Sequence, residues 1–145
     1  MKSSSFVHLR QDGVSLLVSL APELVRIIHW GEDLGDTEDF DGYSSATIEP
    51  TAHAEGDSPD QPGIWREQAR GAIGSPVLKG HRNGKDFSPL FVPTSHTAND
   101  QELVVVGEDV SAGLRIETSF SFVGAGVLVT AQKVTNIGSG GYCLE

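Results

Sequence analysis

Short apolar runs broken by turn residues set the pattern of this chain. Residues 6–10 and 14–20 are β-favouring runs on either side of Gln11, Asp12 and Gly13, and an Asp-Gly pair in that place predicts a hairpin. Ala21, Pro22 and Glu23 then interrupt the chain before residues 25–30, whose Val, Ile, Ile and Trp suit a third strand. The clearest alternation lies in the second half. Leu114, Ile116, Thr118, Phe120 and Phe122 point one way and Arg115, Glu117, Ser119 and Ser121 the other, the period of two expected of a strand with one wet face. Just before it, Leu103, Val104, Val105 and Val106 are too continuous for a half-exposed strand and predict cover on both faces of residues 102–108. Gly124, Ala125 and Gly126 turn the chain into a last strand over residues 127–136, which Asn136, Ile137 and Gly138 close.

Between these strands the pattern is irregular. From Gly31 to Gly63 the chain makes a long excursion, acidic at first (Glu32, Asp33, Asp36, Glu38, Asp39, Asp41) and then punctuated by Pro50, Pro59 and Pro62. A loop of that length in a compact unit is functional, mobile or docked on something else. Residues 64–70 fit a short helical turn or an extended edge equally well. Residues 70–91 hold four glycines and two prolines, a backbone that must turn repeatedly and that displays Arg82, Lys85 and Asp86 on a shaped loop. A short strand is expected over residues 88–92 and a polar turn over 93–101.

Several strands separated by turns, with no convincing amphipathic helix, predict an all-β fold, an antiparallel β-sandwich with long irregular loops. At 145 residues the chain has the size of one domain, 1–145, that buries a core without staples. Cys143 is the only cysteine, so no internal disulfide forms, and the composition fits a reducing, cytoplasmic setting. Twenty acidic against ten basic residues give a formal charge of -10, which argues against nucleic acid as a partner. Nothing in the sequence approaches a membrane span or a secretory leader. Leu144 and Glu145 resemble an expression-vector remnant and are given no structural weight.

Candidate chemistry is sparse. The acids of residues 33–41 are expected to be a solvated, self-repelling run, and they fail as a calcium loop because the twelfth position is Ile48 instead of Glu. His8, His29, His53, His81 and His96 show no metal-ligand spacing, and no Gly-x-Ser-x-Gly elbow is present, so no metal, cofactor or catalytic residue is assigned. Arg82, Lys85 and Asp86 are the candidate ligand contacts, since a polar sugar needs directional donors and acceptors; the competing reading is a turn held by its own ion pair. Trp30 and Trp65 offer faces on which a sugar can stack, although large aromatics belong more often to cores and interfaces; Trp65 is kept among the candidates.

Three ordered blocks carry a family resemblance: Val7 to Leu16 (VHLRQDGVSL), His29 to Gly35 (HWGEDLG), and Glu67 to Gly71 (EQARG), joined by the central loop and Val134 to Gly138 (VTNIG). Together they resemble the amino-terminal region of bacterial α-galactosidases of glycoside hydrolase family 36. The resemblance implies a β-supersandwich of the galactose-mutarotase type, of which this chain would be a piece, followed in the whole enzyme by a catalytic (β/α)8 barrel that carries both catalytic aspartates. It implies a galactoside substrate bound with the barrel, a homo-oligomer, and a fragment inactive alone. Relatives have an Asp-aromatic-Arg pattern before a proline where this chain has Asp86, Phe87, Ser88 and Pro89, so Asp86 alone carries over. An autonomous sugar-binding module and a structural assembly module remain the alternatives.

Overall fold

A computed structural model of the chain describes residues 6–48, 63–72 and 74–145. The first sheet is an antiparallel meander of β1 (Phe6–Gln11), β2 (Val14–Leu20) and β3 (Val25–Glu32), in that order. Asp12 and Gly13 connect β1 to β2 with φ of 49° and 81°, the left-handed pair that a type I′ turn requires and the Asp-Gly signal predicted. A bulge interrupts the β2–β3 ladder between Leu17 and Val18, so that Ile27 lies opposite Val18 and Trp30 opposite Leu16. The extra residue shifts the pleat, and Ile27 and Trp30 both end on the core side of β3.

Both faces of β2 are covered. Leu16, Val18 and Leu20 enter the core, while Ser15, Leu17 and Ser19 are equally buried on the outer face. Part of the acidic excursion supplies the outer cover: a short helix, α1 (Phe40–Ala46), lies against the sheet, with the Phe40 ring 5.7 Å from Phe6 and 5.5 Å from His8. Asp39, expected in a solvated run, is the helix N-cap and accepts the Gly42 amide at 3.0 Å. The remainder of that excursion, residues 49–62, lies outside the described residues.

After β4 (Gly80–His81), the second sheet takes the order β5 (Val92–Ala98), β6 (Glu102–Asp109), β7 (Leu114–Phe122) and β8 (Leu128–Asn136), all antiparallel. The chain then returns in β9 (Cys143–Leu144) to pair with β4. Leu103, Val105, Leu114, Ile116 and Phe120 of the second sheet meet Leu9, Leu16, Val18 and Val25 of the first in one buried cluster. Each large apolar side chain removed from water in this way contributes about 1.5–3 kcal/mol before the entropy cost of ordering it. The fold is the expected antiparallel β-sandwich. Among the described residues, no helix is long and apolar enough to cross a membrane.

Several local expectations fail. Only one face of β6 is fully covered: Leu103, Val105 and Gly107 are buried, whereas Val104 and Val106 are half-buried on the other face. Residues 93–101 are largely strand, because β5 pairs with β6 as an edge where the missing amide of Pro93 costs nothing. Residues 88–91 are not strand; side-chain carboxylates hold the Leu90 and Phe91 amides instead. Leu144 is paired with Gly80, and the Glu145 amide donates to the Lys79 carbonyl at 3.1 Å, so both terminal residues carry structural weight.

Candidate functional site

The shape of the central loop begins with a two-residue turn. Asn83 and Gly84 adopt φ of 51° and 75°, and Arg82 and Lys85 exchange main-chain hydrogen bonds of 2.8 and 3.0 Å across it. Asn-Gly is the pair this turn favours. The next residue, Asp86, also lies in the left-handed region, with φ of 57°, and the Tyr142 hydroxyl donates to its carbonyl at 2.9 Å. Asp and Asn tolerate that region better than other side chains, but the conformation persists only where its surroundings hold it.

Arg82 is the centre of those surroundings. Its Nη1 donates to the carbonyls of Ser139 and Gly140, and its Nη2 to the Ala112 carbonyl at 3.1 Å and Asn136 Oδ1 at 2.8 Å. The guanidinium carbon stands 5.7 Å from the centre of the Tyr142 ring. Its Nε faces Asp86 Oδ2 at 3.8 Å. A planar fork with five donors suits a point where several carbonyls converge. The close approach of Gly113 to Gly138 beside it leaves no room for a side chain at Gly113 and only a tight space at Gly138. Burial raises the Tyr142 phenol above its ordinary pKa, and the neighbouring Asp86 charge adds to the effect.

The following segment is held by two carboxylates from different elements. Glu67, whose side chain is 1% exposed, accepts the Phe91 amide through Oε1 and Arg70 Nε through Oε2 at 2.6 Å, while Arg70 Nη2 reaches the Phe91 carbonyl. Asp109, at the end of β6, accepts the Leu90 amide at 2.8 Å and the Ala112 amide at 2.9 Å. Burial raises the Glu67 pKa, against the opposing pull of the Phe91 amide and Arg70.

The four candidate residues therefore occupy different settings. Arg82 is spent on the fold. Asp86 keeps a side chain that is 29% exposed, Lys85 is exposed, and Phe87 beside them stands 68% in solvent. Trp65 is 4% exposed: its Nε1 donates to Thr118 Oγ1 at 2.9 Å, its ring packs against Gly107, and Phe91 meets it edge-on at 6.0 Å. The ring lies in the core, as large aromatics more often do. Glu67, Asp109, Asn136 and Tyr142 were not singled out individually, although Glu67 and Asn136 lie in the ordered blocks of the resemblance.

The remaining blocks meet in a second network. Arg10 grips Asp33 through Nε at 2.7 Å and Nη2 at 2.6 Å, and Asp36 through Nη1 at 2.6 Å. The buried Ser15 hydroxyl donates to Asp33 at 2.6 Å, accepts the Leu34 amide at 3.1 Å, and stands 2.8 Å from His8 Nε2. Because the hydroxyl proton goes to Asp33, His8 Nε2 carries a proton and donates. Ser, His and Asp are thus in the wrong order for nucleophilic catalysis, where the imidazole must take the serine proton. Arg10 and the Ser15 hydroxyl hold the Asp33 carboxyl well below the usual carboxylate range. No group of three or more His, Cys, Asp or Glu poised for a metal occurs among the described residues.

An α-galactosidase from Escherichia coli is 33% identical over 140 residues, which cover 94% of this chain and 19% of that protein. The chain thus spans about a fifth of the length of this relative. The profile described as the glycosyl hydrolase family 36 N-terminal domain matches residues 23–145. With that match over most of its length, the chain belongs to the family of glycosyl hydrolase family 36 N-terminal domains.

Proposed function

We propose that the chain, residues 1–145, is the non-catalytic N-terminal part of the β-supersandwich of an α-galactosidase, an enzyme that hydrolyses terminal α-galactosides on a barrel outside these residues. The ordered identity with the E. coli enzyme carries this reading. The chain supports that barrel, contributes to oligomerisation, and lends the loop from Arg82 to Phe91 to the substrate mouth. The lone Cys143 fits a cytoplasmic enzyme.

The geometry supports the mouth assignment in one respect above others. A non-glycine residue in the left-handed region, clamped by Tyr142 and neighboured by the Arg82 knot, is a conformation maintained at a cost. What it achieves is to hold the Asp86 carboxylate partly exposed between Lys85 and Phe87. A carboxylate accepts sugar hydroxyls, an ammonium donates to sugar oxygens, and preorganisation limits the entropy lost on binding. Arg82 serves as a positioning residue for Asp86, and Trp65 acts through the core that seats Phe91.

The test uses a chromogenic α-galactoside. In the whole enzyme, Asp86→Ala raises KM about tenfold with kcat nearly unchanged, the mark of lost uniform binding. The 145-residue chain alone gives no turnover. Hydrolysis that copurifies with the isolated chain would overturn the non-catalytic reading, and an unchanged KM would remove Asp86 from the mouth.

A further inference from the structure

Resting on the reading that the loop from Arg82 to Phe91 reaches the substrate mouth, we infer that Glu67 and Arg70 are positioning residues for the sugar. Their ion pair grips the main chain of Phe91 and so fixes the far end of the segment that displays Asp86. The pair is prepared locally. Glu67 precedes and Arg70 ends a single turn of 3-10 helix, Gln68–Arg70, and in such a turn residues three apart come to lie one above the other. Their side chains leave the turn on the same side, and Arg70 Nε donates to Glu67 Oε2 at 2.6 Å. Gly71, with φ of 83°, closes the turn directly after Arg70, its amide donating to the Gln68 carbonyl at 2.9 Å. The Ala72 amide returns to the Glu67 carbonyl at 3.2 Å.

Both main-chain groups of Phe91 go to this pair. Its amide donates to Glu67 Oε1, and its carbonyl accepts Arg70 Nη2 at 3.2 Å. Phe91, Glu67 and Arg70 thus close a ring of contacts in which moving any one member breaks its bonds to both others. A neighbouring strand would satisfy the same two groups with main-chain atoms alone. Here a carboxylate with only 1% of its side chain exposed takes the amide, and burying that charge is costly unless it is paired. The Phe91 ring is fully buried and edge-on to Trp65, so the core and the ion pair fix the same residue. At the other end of the segment, the Tyr142 hydroxyl holds the Asp86 carbonyl. Phe87, Ser88 and Pro89 lie between the two anchors and make no hydrogen bond among the described residues. They line a narrow crevice with Arg66, Glu67 and Gln68, so the turn that bears the pair also runs alongside the free part of the segment. A segment tied at one end pivots. Tied at both, it keeps the Asp86 carboxylate in one place, which limits the entropy lost when a sugar hydroxyl binds there.

The test measures KM and kcat of the whole enzyme on a chromogenic α-galactoside. Arg70→Lys keeps the charge but loses the fork that reaches Glu67 and Phe91 together, and Glu67→Gln turns an amide N–H2 toward Arg70 or toward the Phe91 amide. Each raises KM about fivefold and leaves kcat within about twofold. Arg70→Lys is the milder change and keeps the test open if Glu67→Gln fails to fold. Asp33→Asn, which weakens the Arg10 network and touches no part of this loop, leaves KM unchanged. The decisive protein carries Asp86→Ala and Arg70→Lys together. Once the carboxylate is gone its position no longer matters, so the double variant has the KM of Asp86→Ala alone. If Asp86→Ala raises KM while Arg70→Lys and Glu67→Gln do not, the inference is overturned and the mouth reading stands. Effects that multiply in the double variant, or a KM in Asp33→Asn raised as far as in Arg70→Lys, overturn it as well, because either marks a general structural role. If Asp86→Ala itself leaves KM unchanged, the mouth reading falls and this inference falls with it.

Discussion

Arg82 and Asn136, 54 residues apart in the chain, meet at 2.8 Å, and the same asparagine side chain donates to the Gly140 carbonyl and accepts the Gly138 amide. A loop and the far end of a strand are thereby fixed through one guanidinium. Charge-assisted hydrogen bonds contribute about 1.5–3 kcal/mol each, and bonds that share a group are not additive. Arg82→Lys keeps the charge but loses the fork that spans Asn136, Ala112 and the 139–140 carbonyls. The expected loss is about 2–4 kcal/mol, and Asn136→Ala costs less, about 1–2 kcal/mol. Urea unfolding of the three proteins checks both. Equal midpoints for Arg82→Lys and the parent would mean that the knot is not a stabilising element.

Glu67 gives the second prediction. Its carboxyl has a folded pKa above the ordinary 4.5, so its contribution is fully present below 4.5 and is lost as pH rises through the raised value. Glu67→Gln removes that titration and flattens the fall in stability on the neutral side of 4.5. It also sets an amide N–H2 against either Arg70 or the Phe91 amide, at a cost of about 1–3 kcal/mol. Unfolding free energies measured from pH 4 to 7 separate the two effects, because one changes the slope and the other the offset. A variant with the parent's slope would exclude Glu67 as the source.

Trp65 supplies a steric test. Its ring occupies the space over Gly107 on β6, and a Cβ there would collide with it. Gly107→Ala is accordingly destabilising by about 1–3 kcal/mol, although alanine suits a strand better than glycine. Acrylamide quenching complements it. Trp30 is 63% exposed and Trp65 is buried, so Trp65→Phe leaves an emission that is fully quenchable, whereas Trp30→Phe leaves a protected one.

Period-two alternation and turn chemistry made most of the strands legible, since both are local. Asp12-Gly13 and the stripe from Leu114 to Phe122 each state their structure within ten residues. The failures were non-local. Nothing near Leu90 and Phe91 marks their amides as bound by Asp109 and Glu67 rather than by a neighbouring strand. The acids at 33–39 read as a solvated run because their partners, Arg10 and the α1 amide, lie in another strand or follow in an unexpected helix. Arg82 was singled out for its charge and place on a loop, and both descriptions are true of it. Its donors point to oxygens of residues 112, 136, 139 and 140, which stand 30 or more residues away in the chain, and no spacing in the sequence expresses that meeting.

The Arg10 and Asp33 network predicts the opposite pH behaviour to that of Glu67. Asp33 has a depressed folded pKa, so its contribution is present above its ordinary 3.8 and is lost as pH falls below that value. His8 acts in the same sense from a higher pH. Burial, with Arg10 nearby, lowers its pKa from 6.5, and its contribution is present above 6.5 and lost as pH falls through the depressed value. Protonating Asp33 removes one partner of Arg10 and the acceptor of the Ser15 hydroxyl together, loosening the 33–39 segment that covers the outer face of β2. Acid unfolding should therefore begin on that face. The protection of the Leu34 and Gly35 amides, taken relative to the intrinsic exchange rate at each pH, should fall below pH 4 before protection in β6 and β7 does. Asp33→Asn should bring the lowered protection to neutral pH and remove the dependence of that protection on Asp33 titration, and a uniform loss of protection across both sheets in acid would contradict this order.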